Sequence, residues 1–346
     1  MDAYLQAVID APAADGPRGL SDGLGRRITY LRVSVTDRCD LRCRYCMSED
    51  MRFLPRQALL SFEEIDAIAA RFIARGVRKI RLTGGEPLAR RGLADLADML
   101  GSRLGSGLEE LTLTTNGTRL RQWAGRLRDA GIARINVSLD SRDPERFRHI
   151  TRTGDLAQVL DGIDAARQAG LAIKINMVAL KDFNEDEIGD MLAWCGAEGH
   201  DLTLIETMPL GDIEGDRFDR YLPLDRVRTA LEQRFALLPL AERTGGPARY
   251  WRVAETGGRL GLITPLTANF CDGCNRMRLT AEGQLYMCLG HDDRVDLRAA
   301  WRSGGADALD AAIDEALRIK PAAHDFRITG RGQAPALARH MSATGG

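Results

Sequence analysis

The chain has 346 residues, with 44% hydrophobic and 28% charged content and a net charge of −1. That length suits one large domain, or a large and a small one, and the balance is that of an ordinary globular protein. No stretch nears the ~18 apolar residues of a membrane span, and residues 1–20 lack the basic start and apolar core of a signal peptide. Seven cysteines, an odd number in tight clusters, argue against a disulfide framework and for reduced, metal-binding thiols in the cytoplasm. Lysine occurs only four times among 48 basic residues, at positions 79, 174, 181 and 320, so each lysine invites attention.

Residues 1–22 are rich in Ala, Gly, Asp and Pro without periodicity, which predicts a mobile tail. From 28 to about 210, short apolar segments alternate with amphipathic ones, the pattern of βα units on a parallel sheet. Strands are expected at 28–35, 77–83, 110–115, 134–139, 171–178 and 202–208. A helix over 61–75 begins with Ser61 as N-cap and Glu64 as its capping-box partner. About six such units are too few for a closed eight-stranded barrel and enough for an open one. Beyond Pro209, residues 249–253, 259–262, 276–280 and 284–289 read as short strands, the last two joined at Glu282-Gly283. A helix over 306–319 stops before Pro321. The expected fold is α/β: a tail over 1–22, a partial TIM-type barrel over 23–240, and a small C-terminal β-containing region over 241–346.

Parallel strands covered on both faces should be almost continuously apolar. Here alternate positions are polar: Arg32 and Ser34; Lys79, Arg81 and Thr83; Thr112, Thr114 and Asn116; Asn136, Ser138 and Asp140; Lys174 and Asn176; Glu206 and Met208. Helices must cover the apolar face, which leaves the polar one lining the concave side. Cations at Arg32, Arg81 and Lys174 are too costly to bury alone, and they imply a polyanionic ligand such as a phosphate. An antiparallel sheet with one wet face would alternate in the same way, and the helical intervals speak against it.

Cys39-Asp-Leu-Arg-Cys43-Arg-Tyr-Cys46 follows the first strand, at the end where barrel enzymes place their chemistry. Three thiolates are one short of the four that complete a cubane, so one iron stays open to a small molecule. The run resembles the cluster motif of radical S-adenosylmethionine enzymes, and Tyr45 is the aromatic residue expected there. Thr83-Gly84-Gly85-Glu86-Pro87 is similar to that superfamily's GGEP motif. The resemblance implies that Gly84, Gly85 and Glu86, with Tyr45, Ser138 and Met208, contact S-adenosyl-L-methionine, Glu86 accepting from its ammonium.

The second triplet, Cys271, Cys274 and Cys288, has His291 at CxxH spacing and could be a zinc ribbon as readily as a second cluster. Its surroundings, from Asn269 to Leu289, closely resemble the C-terminal motif of the GTP 3′,8-cyclase family of molybdenum cofactor biosynthesis, and the match runs from about Gly25 to the C-terminus. It implies a second three-cysteine [4Fe–4S] cluster whose open iron takes guanine. It further implies GTP contacts at Arg32, Arg81, Thr114, Lys174, Arg276, Met277 and Arg278. Arg276 and the terminal Gly345 and Gly346 are implied as catalytic, the tail reaching into the active site. Without the resemblance, that polar, glycine-ended terminus reads as frayed. Departures from the family pattern are Asp40, Ser48 and Thr344. Cys195, in neither triplet, reads as a small buried helix residue.

The implied activity is conversion of GTP to 3′,8-cyclo-7,8-dihydro-GTP by a radical lyase. No GxxxxGK[ST] loop is present, so this is not P-loop hydrolysis. Implied partners are a reductant protein and the downstream cyclic pyranopterin monophosphate synthase, with a homodimer as the assembly and neither nucleic acid nor membrane. The competing readings are a peptide-modifying radical enzyme with an auxiliary cluster, and a non-enzymatic zinc or iron–sulfur protein.

Overall fold

The computed structural model describes residues 19–241 and 246–345. Most of the expected N-terminal tail, and Gly346, lie outside them. Six strands follow the expected βα pattern: β1 (Tyr30–Ser34), β2 (Lys79–Thr83), β3 (Glu110–Thr115), β4 (Arg134–Ser138), β5 (Ala172–Ala179) and β6 (Asp201–Glu206). Each pairs in parallel with the next. The first helix after β1, Phe62–Ala74, opens on the full Ser61/Glu64 capping box. Its Ile65, Ile68 and Phe72 are wholly buried in one apolar core with Leu31, Val33, Ile80 and Leu82 of the sheet. The apolar alternate residues thus form the core under the helices, and the polar ones face the concave side.

The C-terminal strands are not a separate layer. β7 (Leu237–Leu240), β8 (Arg249–Val253) and β9 (Arg259–Ile263) extend the sheet beyond β6, while β10 (Arg276–Leu279), β11 (Gln284–Tyr286) and β12 (Arg294–Asp296) extend it beyond β1. The order is β12-β11-β10-β1-β2-β3-β4-β5-β6-β9-β8-β7. An open barrel leaves unpaired main-chain groups on both edges, and these additions satisfy them. The sequence pattern misses β7 and β12, which are three or four residues long and have no buried side chain.

Both inner additions run parallel to the barrel, β10 on β1 and β9 on β6. β9 therefore ends at the rim where β1 delivers Cys39, and β10 begins at the opposite rim. The connection over 264–275, which carries Cys271 and Cys274, descends between these two edges along the barrel's open side. The helix expected over 306–319 is the second arm of a kinked pair: Leu297–Arg318 starts on an Asp296 cap and breaks at Gly305, whose φ of 59° suits glycine.

Candidate active site

A cavity of about 300 Å³ occupies the concave side, and all six triplet cysteines line it. None is in a disulfide. The register sets the two triplets apart: Tyr30 pairs with Arg276 and Val33 with Leu279, so Cys274 lies below β1 and Cys39 beyond its upper end. At ~3.3 Å per residue the intervening strand separates them by on the order of 20 Å.

At the upper rim the thiols need a positive centre. Burial pushes Cys39 up to about 12 and Cys46 to about 11, and it raises Cys43 as well. A metal reverses that balance and holds thiolates. The loop is braced for it. Asn116 Nδ2 lies 3.8 Å from Cys39 Sγ and donates to Asp40 Oδ1 at 2.7 Å. Asp40, a departure from the family pattern, also accepts from Thr118 Oγ1 and pairs with Arg119 Nε at 3.1 Å. Tyr45 donates to Asp140 Oδ2 at 2.6 Å, and Asp140 accepts Val178 N. Burial pushes that carboxyl up to about 6.

Gly84 and Gly85 line the cavity beside the first triplet, together with Ser138 and Met208. A Cβ at Gly84 would sit 2.5 Å from Thr36 O, and one at Gly85 2.5 Å from Arg38 O. The two glycines therefore press the turn against the cluster loop, a cradle no side chain could share. Glu86 closes the same turn. Its carboxylate is fully buried and turned away from the cavity, accepting Leu88 N at 2.9 Å, Thr115 Oγ1 at 2.8 Å and Asn116 N at 2.6 Å. By accepting these three hydrogen bonds, Glu86 fixes the turn and the position of Asn116.

Between the rims runs a row of cations. Arg278 pairs with Arg32 and Arg32 with Arg81 across adjacent strands, with Arg276 and Lys79 flanking Tyr30 one step below. Burial pushes Arg32 down to about 10, Arg81 and Arg276 adding repulsion, and it lowers Arg278 further. Arg81 also reaches Thr114 Oγ1 at 3.5 Å. Lys174 donates to Tyr250 OH at 2.8 Å. The facing acids are committed: Glu110 pairs with Lys79 and Arg134, and Glu206 accepts Leu224 N, Leu266 N and Thr267 Oγ1. The centre of the cavity is thus built for an anion. The Met277 side chain is wholly buried in the core on the other face of β10, so a GTP contact there falls to its main chain.

The lower rim holds the second triplet. Lys320 Nζ lies 3.7 Å from Cys274 Sγ and donates to Met287 O at 2.6 Å, and Gly290 N points at Cys288 Sγ at 3.4 Å. Burial raises the Cys274 thiol, but Arg276 and Lys320 outweigh it and hold the thiol below its ordinary range. Arg26 ties this loop to the C-terminal segment, bonding Cys271 O, Ala322 O and Pro321 O. His291 does not join the triplet: its Nε2 is 2.8 Å from Ala323 O, and it lies off the cavity wall. Among the described residues no three His, Cys, Asp or Glu side chains close around a single-ion position.

The C-terminal segment crosses the mouth. Ala336 N donates to Pro209 O, Gly211 N to Leu337 O, and Gly345 O accepts from Arg278 at 2.6 Å and Arg32 at 3.3 Å. Thr344, another departure from the family pattern, is fully buried, its hydroxyl 3.4 Å from Arg339 Nη1. The sequence had offered fraying for this end as well as insertion, and Gly345 lies inside. Lys79 and Asn116, placed on the polar face by strand alternation, also surround the site, as do Tyr30, Tyr250, Lys320 and His324, which no motif assigned a role. The rarity of lysine was the one signal that singled out Lys320.

A parallel barrel with a three-cysteine loop at the end of β1 and a glycine cradle at the end of β2 defines a radical S-adenosylmethionine enzyme. The comparisons agree. Residues 33–195 match the Radical SAM superfamily model and residues 200–326 the Molybdenum Cofactor Synthesis C model. The structure resembles Streptococcus suis SuiB bound to S-adenosylmethionine, with a TM-score of 0.60 at 14% identity over 84% of this chain and 66% of that one. GTP 3',8-cyclases of Rhizobium etli (58% identical over 97% of both chains), Rhizobium meliloti (60% over 94% of both) and Brucella abortus (56% over 99% of this chain and 100% of the other) align almost end to end. The chain belongs to the GTP 3′,8-cyclase family.

Proposed function

We propose that the protein converts GTP to 3′,8-cyclo-7,8-dihydro-GTP, the first step of molybdenum cofactor biosynthesis. The observation that carries this reading is one cavity with a cysteine triplet at each end and a buried row of cations between them. Cys39, Cys43 and Cys46 would hold one [4Fe–4S] cluster, with Tyr45, Gly84, Gly85, Ser138 and Met208 around S-adenosylmethionine. Cys271, Cys274 and Cys288 would hold a second cluster that receives guanine. When bound, the first cluster and S-adenosylmethionine supply the radical that removes a ribose hydrogen.

The chain's own residues do the rest. Arg32, Arg81, Lys174, Arg276 and Arg278 neutralise and place the triphosphate, with Thr114 at their edge, because a buried cation row gains most when an anion completes it. Gly345 closes the mouth from the Thr83 side, and its carbonyl occupies the arginine donors nearest the rim. Residues 23–240 would thus carry the radical chemistry and 241–346 the base and the closure, on one continuous sheet. No helix among the described residues is long and apolar enough to cross a membrane. A separate reductant protein and a downstream cyclic pyranopterin monophosphate synthase complete the proposed partners.

Anaerobic reconstitution tests the reading. About eight irons per chain are expected, four for each cubane, and 5′-deoxyadenosine should form from S-adenosylmethionine and reductant only when GTP is present. Zinc retained at the second triplet, or cofactor cleavage indifferent to GTP, would sink it.

A further inference from the structure

His324 stands in the cavity wall beside Phe270, Cys271, Cys274 and Cys288. Its ring is held from both sides, tilted on Phe326 at 4.6 Å and edge-to-face with Phe270 at 6.4 Å. Gly290 admits it: a Cβ there would lie 2.4 Å from His324 Cβ. Phe326 N points at Nδ1 at 3.4 Å, so Nδ1 accepts and the ring's proton sits on Nε2. That Nε2 is buried and has no hydrogen-bond partner among the described residues. A buried donor without a partner is costly, and such groups in binding sites generally await a ligand acceptor.

The position of the donor decides what it can read. It lies at the second triplet, away from Gly84, Gly85 and Met208, where the proposed function puts the purine of the substrate; the inference rests on that reading. Guanine and adenine share the N7 acceptor and differ at the neighbouring position, where guanine carries the O6 acceptor and adenine an amino donor. Arg276 is stacked 5.0 Å over Phe270, the ring that meets His324 edge-on.

We propose that His324 is a specificity-determining residue of the purine subsite: its Nε2–H donates to O6 of guanine and opposes the amino group of adenine. A site that hydrogen-bonds a substrate group discriminates sharply against an analogue presenting the wrong partner. Phe270 and Phe326 hold the ring in the plane that makes the donor useful.

The test uses the full chain, reconstituted anaerobically, and measures equilibrium binding of GTP, ITP and ATP with iron content on each sample. ITP keeps O6 and lacks the 2-amino group. H324A should weaken GTP and ITP by about tenfold, the scale of one lost hydrogen bond, while ATP binds no more weakly than to the wild type. H324Q, which restores an N–H donor, should recover most of the preference. If H324A loses iron, H324F keeps the volume between the phenylalanines, drops the donor and carries the same comparison. Equal losses for all three nucleotides, or none, overturn the assignment. A wild type holding only about four irons yet preferring GTP overturns the second-cluster reading instead, and the selectivity ratio of the variants still judges His324.

Discussion

Lys174 shows how one buried side chain couples ligand charge to pH. Only 3% of it is exposed, and burial, with repulsion from Arg134, pushes its ammonium down to about 7. Tyr30, among Arg81, Arg32, Lys79 and Arg276, is lowered to about 8 despite a burial that opposes ionisation. In the empty protein the folded lysine binds fewer protons than the unfolded one between about 7 and 10.5. Stability therefore rises with pH across that window, and the cost of the buried charge is greatest below it. A triphosphate beside both groups raises both pKa values. GTP binding at pH 8 should thus take up protons, seen as different apparent enthalpies in buffers of different ionisation heat. Lys174→Arg, which stays charged throughout, should reduce the uptake, and identical enthalpies in all buffers would refute the coupling.

Among the elements, the helix Phe62–Ala74 joins the barrel to its C-terminal additions. Arg71 and Arg75, each about 5% exposed, both reach Asp310 on the helix Leu297–Arg318, and Arg75 also pairs with Asp314. Asp310→Ala removes the carboxylate that two buried guanidinium groups share and should cost about 3 kcal/mol in denaturant unfolding. The double variant Arg71→Met/Asp310→Leu should recover part of that loss, and a change within error for Asp310→Ala would show the pairs to be solvated. These contacts join residues more than 230 apart in sequence, so no local pattern announces them. What was legible is what repeats locally. The period-2 alternation of Arg32, Arg81, Thr114 and Lys174 revealed the polar face, and the Ser61 box revealed a helix start. Glu86 and Met277 show what position in a motif leaves open: neighbours decide orientation, and both side chains are buried within the protein. Lys320 and His324 became part of the site only when β10 settled against β1.

For the whole molecule, the consequence of one continuous sheet is that both cysteine triplets and the C-terminus act on one space. β1 leads upward to Cys39, β10 starts just above Cys274, and the terminal segment returns over the mouth to Thr83. Gly345, at φ 74°, reaches a position where a Cβ would come within 1.9 Å of Thr83 Oγ1, so only glycine passes. Its carbonyl then meets Arg278 and Arg32, two of the cations that would hold phosphate. None of these contacts carries iron, and the remaining cations of the row do not depend on them. Deleting Gly345 and Gly346 should therefore leave the iron content and GTP binding near wild type while abolishing cyclisation. Gly345→Ala should reproduce the loss through steric exclusion alone. Iron analysis, GTP binding and product formation measured on the same preparations separate closure from folding. Unchanged turnover in the deletion would remove the tail from the mechanism, whereas joint loss of iron and product would make it a structural strap.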